Sequence, residues 1–406
     1  RGATIRSGPM HAKRHYLEFV VILGALTAFA PLAIDMYLPA LPAIERALQG
    51  STAQGQFTLA TFFIGFALGQ AVFGPLADRF GRKRPLYAGL ALFILASAAC
   101  ALAGSIQALA AARFVQAVGA CAGAVVGRAM VRDLFEPADT VRVFSTLMLV
   151  MGVAPILAPL VGGYLLVGFG WQAIFWALAL FGGVCLLAAR RLPETQHEAA
   201  PHPLELGRVL RDYRALLGRR RYLGYVLSGA FSAAGMFAYI AGSPFVFIEL
   251  HGVPPEHYGW LFGSNALGLI LAAQVNGRLL HRRLGADRVL RIAGRVQAVA
   301  GLTLLATAAS GAGGLAGIML PLFVYITCGG FVMPNATALA MAPFSTNAGT
   351  ASALLGSVQF ALAAVAALAV GALHAASAIP MAAVVAACGL LGVAAHARLV
   401  AGRTRR

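Results

Sequence analysis

Residues Gln56 to Gly104 read QFTLATFFIGFALGQAVFGPLA, then DRFGRKRP, then LYAGLALFILASAACALAG. Two apolar runs flank a short charged segment. Each run is about 20 residues long, enough to cross a hydrocarbon layer of about 30 Å as a helix. Only helices and closed barrels can cross, because every backbone polar group needs an internal partner. These runs are rich in Ala, Leu and Gly and lack the in–out alternation of a barrel strand. The stretch therefore reads as a helical membrane hairpin with its charged loop in water.

Runs of the same kind recur on both sides of it. They predict spans at 16–39, 56–77, 86–104, 108–128, 143–167 and 171–189, then at 222–247, 258–280, 289–309, 315–335, 348–372 and 378–397. The organisation that follows is an N-terminal segment (1–15), a six-helix half (16–190), a linker (191–221), a second six-helix half (222–398) and a tail (399–406). Leu206, Val209, Leu210, Tyr213 and Leu217 in the linker have helical spacing, with Arg208, Arg211 and Arg214 among them. That pattern fits a basic surface helix, or a solvated linker. Composition agrees with the class: of 406 residues, 60% are hydrophobic and 11% charged. Soluble domains carry about 25% charged residues.

Lys and Arg set the orientation. They follow spans two, four and eight, fill the linker and close the chain, while the opposite loops carry only Arg46. The basic side reads as cytoplasmic, with both termini on it. The net charge of +17 is thus a topology signal and not a nucleic-acid footprint. Ala28-Phe29-Ala30 resembles a signal-peptide cleavage site, but the apolar run continues past it to Tyr37. Residues 1–9 read as an upstream extension, with Met10 as the natural start. Cys100, Cys121, Cys185, Cys328 and Cys388 fall inside predicted spans and read as small packing residues. No phosphate-cradling loop, metal box or nucleophile elbow is found, so the chain does not read as an enzyme. Its energy source would be an ion gradient or a separate subunit.

Ionisable groups at membrane depth are costly, about 2.5–3.5 kcal/mol on insertion scales, and mark function. Asp35 in span one and Arg113 in span four lie at one level, about 6–10 Å inside the outer boundary. They are expected to face one cavity. A carboxyl group there can take up and release a proton, burial favouring its neutral form and a neighbouring cation its charged form. A fixed ion pair between two helices is the plainer alternative. Glu18, near the inner end of span one, reads as a snorkelling residue or a second proton site. The second half lacks central charges. It offers Met236, Phe237 and Tyr239 in span seven, and Phe331 and Asn335 in span ten, as walls for apolar ligands.

Several motifs carry a family resemblance. Gly74-Pro75-Leu76-Ala77-Asp78-Arg79-Phe80-Gly81-Arg82-Lys83 resembles the signature loop of the major facilitator superfamily. Arg113-Phe-Val-Gln116-Ala-Val-Gly119 is similar to its span-four motif, and Gly152-Val-Ala-Pro155-Ile-Leu-Ala-Pro159-Leu-Val-Gly162-Gly163 to the span-five motif of its antiporters. Asp35-Met-Tyr-Leu-Pro39-Ala-Leu-Pro42, Trp171 to Phe175, Gly235 to Val246 and Gly349 to Ser352 look like the bicyclomycin-resistance (Bcr/CflA) exporters. The second half's counterpart loop, Gly277 to Gly285, is degenerate, with Arg282 in the place of Asp78.

The resemblance implies an all-α fold of twelve transmembrane helices. It implies a monomer in the bacterial inner membrane that exports small lipophilic drugs against protons by alternating access. The partners would be substrate, protons and the lipid bilayer, with no cofactor and no metal. Asp35 and Arg113 would couple protons. Gly74, Asp78, Arg79, Gly81, Arg82, Pro155, Pro159 and Gly162 would gate, Gly74 by permitting close approach and Asp78 by latching to span eleven near Asn347–Gly349. An exporter or uptake symporter of a small metabolite, and a transport-inactive sensor, are the competing readings on this fold.

Overall fold

The computed structural model describes residues 9–135, 137–195, 213–344, 348–373 and 376–400. Every regular element among them is helical. Span one is Pro9–Thr27 with Phe29–Asp35. Spans two to six are Thr52–Phe80, Lys83–Ala101, Ile106–Leu134, Pro137–Phe169 and Gln172–Ala189. Spans seven to twelve are Arg220–Pro244, Pro255–Val275, Ala286–Ser310, Gly314–Met341, Ala348–Ala372 and Ile379–Leu399. Ten helices, and span one as a bent pair, are long and apolar enough to cross a membrane. Span eight, 21 residues long, is diluted by Asn265 and Gln274.

Span one departs from the single helix expected over 16–39. It bends by 40° after Thr27 and stops at Asp35. Two prolines account for both breaks. Pro31 has no N–H to offer Thr27, and Pro39 has none to offer Asp35. The chain then tightens into a short turn, Leu38–Ala40, and restarts as Leu41–Ala47. Asp35 thus occupies a helix end in the middle of the protein. Several other helices outrun their predicted bounds. Span two continues to Phe80, so Asp78 and Arg79 lie on its last turn and not in a loop. Spans seven and eight each end in wider π turns, Phe245–Leu250 and Asn276–Leu280.

Within the first half, spans two and three pack on span four, and span six on span three. Within the second, span seven packs on ten, eleven and twelve, and span nine on ten and twelve. The halves meet along two seams, span two against eleven and span five against eight. At the end opposite the basic loops the gap between the halves is closed. The buried turn Leu38–Ala40 touches spans five, seven and eight. Arg46 reaches Glu249 across the halves at 3.6 Å. Of the linker, residues 213–217 are helical. Leu206, Val209 and Leu210 lie outside the described residues.

Candidate functional site

Asp35 is 4% exposed at the break in span one. Its side chain makes no hydrogen bond or ion pair among the described residues. It lies within electrostatic reach of the hydroxyls of Tyr239 and Tyr258, both in the second half. Those hydroxyls belong to a polar and aromatic layer built by spans seven and eight. Tyr258 and Ser243 share a hydrogen bond of 2.7 Å, and Asn265 Nδ2 donates to Tyr239 Oη at 3.1 Å. Phe247 and Phe262 fill the space between the tyrosines, Phe262 stacked on Tyr239 at 5.4 Å. Asn265 Oδ1 is buried without a partner.

Arg113 does share the level of the span-one break, but it does not face Asp35. Its Nη1 donates to the Ala33 carbonyl at 2.9 Å and to Gln116 Oε1 at 2.7 Å. The guanidinium lies over the rings of Tyr37 (4.6 Å) and Phe62 (4.3 Å). Gln116 in turn donates to Ser97, and Tyr37 bonds Thr58 at 2.6 Å. Arg113 is fully enclosed within the first half, with Nε and Nη2 unpaired. The single cavity shared by the two charges, expected from sequence, is therefore not formed here. Arg113 thus bonds the backbone two residues before Asp35 and not the carboxyl group itself.

Span five supplies the packing that fixes this geometry. A Cβ on Gly162 would overlap the Met36 carbonyl, so the glycine lets span five lie against the residue next to Asp35. Gly163, on the opposite side, faces Pro255 of span eight. The helix runs unbroken through Pro155 and Pro159.

Of the expected wall residues, Phe237 and Tyr239 are buried and Met236 partly so. Phe237 meets Phe63 of span two at 4.7 Å and Phe360 of span eleven at 5.7 Å, on the seam between the halves. Phe331 and Asn335 are elsewhere. Phe331 packs in a separate cluster with Tyr222, Val226 and Leu290, and Asn335 donates to Asn276 at 2.8 Å.

At the basic end, Arg82 holds Asp78 (2.6 Å) and Asp133 (2.9 Å) together. Burial alone would lower the pKa of Arg82; its bonds to the two carboxylates, and their charge, raise it above the ordinary value. Glu194 accepts from the backbone N–H groups of Arg82 and Lys83, capping span three from 111 residues or more away. Gly81 has φ +82°, and a Cβ there would meet the Glu194 carboxylate. Arg79 lies over Phe80. No described atom comes within 4 Å of a Cβ placed on Gly74, so the expected close approach is not made by a described residue. Of the expected latch partners near Asn347–Gly349, Asn347 lies outside the described residues. Glu18 pairs with Arg191 at 2.9 Å.

Sequence reasoning missed Tyr258, Asn265, Glu194, Asp133 and Glu45. Tyr258, Phe262 and Asn265 share one helix face, a spacing of four and three that was readable. Glu45 is 8% exposed and rests on the bare backbone of Gly55. Among the described residues no group of three His, Cys, Asp or Glu side chains is placed to hold a metal. The five cysteines are free and buried.

The model of the Major Facilitator Superfamily matches residues 23–368. A Bicyclomycin resistance protein homolog of Haemophilus influenzae is 34% identical over 95% of this chain and 97% of its own. Uncharacterized MFS-type transporter YdgK of Bacillus subtilis is 37% identical over 93% and 94%. Multidrug resistance protein MdtL of Escherichia coli is 32% identical over 84% and 85%. Among solved structures, the nucleoside transporter NupG aligns with a TM-score of 0.76 at 14% identity, over 95% of this chain and 98% of its own. A D-xylose-proton symporter aligns at 0.73 and 15%, over 94% and 98%. At that identity the two structures speak for the fold alone.

Proposed function

The chain belongs to the major facilitator superfamily of membrane transporters, and on that premise we propose that it exports small, largely lipophilic drug-like compounds in exchange for protons. The names of the bicyclomycin-resistance and MdtL relatives support the substrate class. The observation that carries the coupling is Asp35, a buried carboxyl group at a helix break that looks across the interface between the halves.

Rocking of two halves changes solvation at their interface and little inside either half. Asp35 and the Tyr239–Tyr258 layer lie on that interface. In the form described, the far end is closed around Asp35. Among the described residues no counter-ion faces Asp35, so in this reading the form described carries the proton. Opening toward the basic end lets the proton leave as substrate enters. Opening the other way lets substrate leave and a proton bind. Phe237 and Met236 supply apolar wall on the seam. Arg113 acts as a positioning residue: it pins the Ala33 carbonyl and thereby the direction of Asp35. The Asp78–Arg82–Asp133 group ties spans two, three and four together at the basic end, and Asp78 in this reading latches to the start of span eleven.

The basic end is cytoplasmic in this reading, both termini lie there, the membrane is the bacterial inner membrane, and a monomer suffices. The test is transport by the purified chain in proteoliposomes under an imposed pH gradient, with drug and proton flux followed together. Opposed fluxes are expected. Flux of both in one direction would instead make it a symporter, and no flux with any compound would remove the transport reading.

A further inference from the structure

Span nine carries an unusual row of charge. Asp287, Arg291 and Arg295 follow one another at four-residue spacing, with Arg288 beside them. Arg295 is nine residues into the helix, about 13 Å along its axis. Its side chain is exposed and makes no hydrogen bond or ion pair among the described residues. An arginine at membrane depth normally finds a counter-charge or reaches for the head groups.

Beside it lies a cleft of about 120 Å³ between spans nine and twelve, floored by spans seven and ten. Arg291, Arg295 and His396 line it, and Ser228 lies on its floor. Gly294 keeps its wall low: a Cβ there would touch only Val393, at 3.9 Å. Among the described residues, the carboxylate beside the cleft, Asp287, is already engaged. Asp287 takes bonds from Tyr225 (3.2 Å) and lies against His396 (3.0 Å) and Arg291 (3.3 Å). Among the described residues, the charges of Arg288 and Arg295 remain uncompensated.

We propose that this cleft binds the phosphate group of an anionic phospholipid from the leaflet at the basic end, with Arg295 as the principal contact and Arg291 at the rim. Three features select this occupant. The cleft has room for a phosphate group, several times what one water needs. It sits between two helices in the part of span nine nearest the basic end, as basic lipid pockets do. Its free guanidinium offers the fork that phosphate oxygens accept. The exposed apolar residues Ile292, Val296 and Val299 continue along span nine, a surface for the attached acyl chains.

The test is native mass spectrometry of the full chain, titrated with phosphatidylglycerol or phosphatidylcholine. Wild type should retain phosphatidylglycerol preferentially. Arg295→Gln should lower that retention about fivefold, the effect of one basic residue at an anionic surface. Arg295→Lys should restore most of it. Gly294→Leu, which fills the cleft and leaves every charge in place, should lower it too. Thermal unfolding of each variant in the same detergent checks that the fold persists, and Arg295→Gln removes no internal bond. Equal retention in wild type and Arg295→Gln, or no preference between the two lipids, overturns the proposal. Displacement of the lipid by millimolar inorganic phosphate would make the occupant a free anion and overturn the lipid assignment. None of these readouts depends on drug export.

Discussion

At the level of the span-one break the two halves of the molecule are built differently. The first half contributes charge: Arg113, sealed between Ala33, Tyr37, Phe62 and Gln116. The second half contributes hydroxyls and an amide: Tyr239, Tyr258, Ser243 and Asn265. Asp35 belongs to the first half by sequence and packing, yet lies within electrostatic reach of the second half's tyrosines. The difference teaches which groups can sense a conformational change. A residue enclosed in one rigid half keeps its neighbours as the halves rock. One that looks across the seam exchanges them. On this ground the proton belongs at Asp35 and the alignment of span one at Arg113.

Substitutions that cross this division should separate the roles. The largest effect is expected from Asp35→Asn. Uphill export driven by a pH gradient should fall to the level of empty liposomes for every compound, with thermal stability near wild type. Wild-type uphill export in this variant would remove Asp35 from the coupling.

Arg113→Ala should follow. It strips the Ala33 carbonyl and Gln116 of their donor, at about 1–3 kcal/mol. Both thermal stability and transport rate should drop. Arg113→Lys should recover only part, because an ammonium cannot lie flat on two rings. A variant that keeps stability but shifts the pH profile of transport would show that Arg113 acts on the proton directly, and would break the comparison.

A smaller effect should distinguish the aromatic residues. Phe237→Ala, on the seam, should alter relative export rates across a panel of dissimilar drugs by about tenfold, as lost apolar contact does. Phe331→Ala, in its separate cluster, should alter them by no more than about twofold on the same grounds. Equal reordering by both would place the substrate wall deeper in the second half.

Asp78→Asn leaves Arg82 its bond to Asp133, so the turn should persist while the proposed contact of Asp78 with span eleven weakens. Labelling of cysteines placed at the basic ends of spans five and eleven should rise by up to about fivefold, the shift that an exposed pair worth about 1 kcal/mol allows. Unchanged labelling would count against the latch. The smallest change is expected at the opposite end. The Arg46–Glu249 pair is 3.6 Å long and solvent-exposed. Arg46→Ala should cost no more than about 1 kcal/mol. A larger drop in unfolding temperature would mean that this pair, and not the buried turn after Asp35, closes that end.

The sequence by itself determined the helical class and the twelve spans, though not their ends, because hydropathy and length are local properties judged against a bilayer of fixed thickness. It also determined that Asp35 and Arg113 share a level, since depth along a helix follows from counting residues. The direction of Asp35 was decided only by tertiary structure. Counting gives height but not azimuth, and the azimuth of a bent helix depends on what it packs against. Here Arg113 takes the carbonyl of Ala33, span five presses on Met36 through Gly162, and Asp35 is left to face the second half. The basic-end turn was likewise half legible. Its basic residues and Gly81 stand in one motif, but Asp133 and Glu194 come from elsewhere in the chain. A carboxylate that caps a helix start 111 residues or more away leaves no periodic trace in the sequence, because the contact is made by the fold of six helices and not by any one of them.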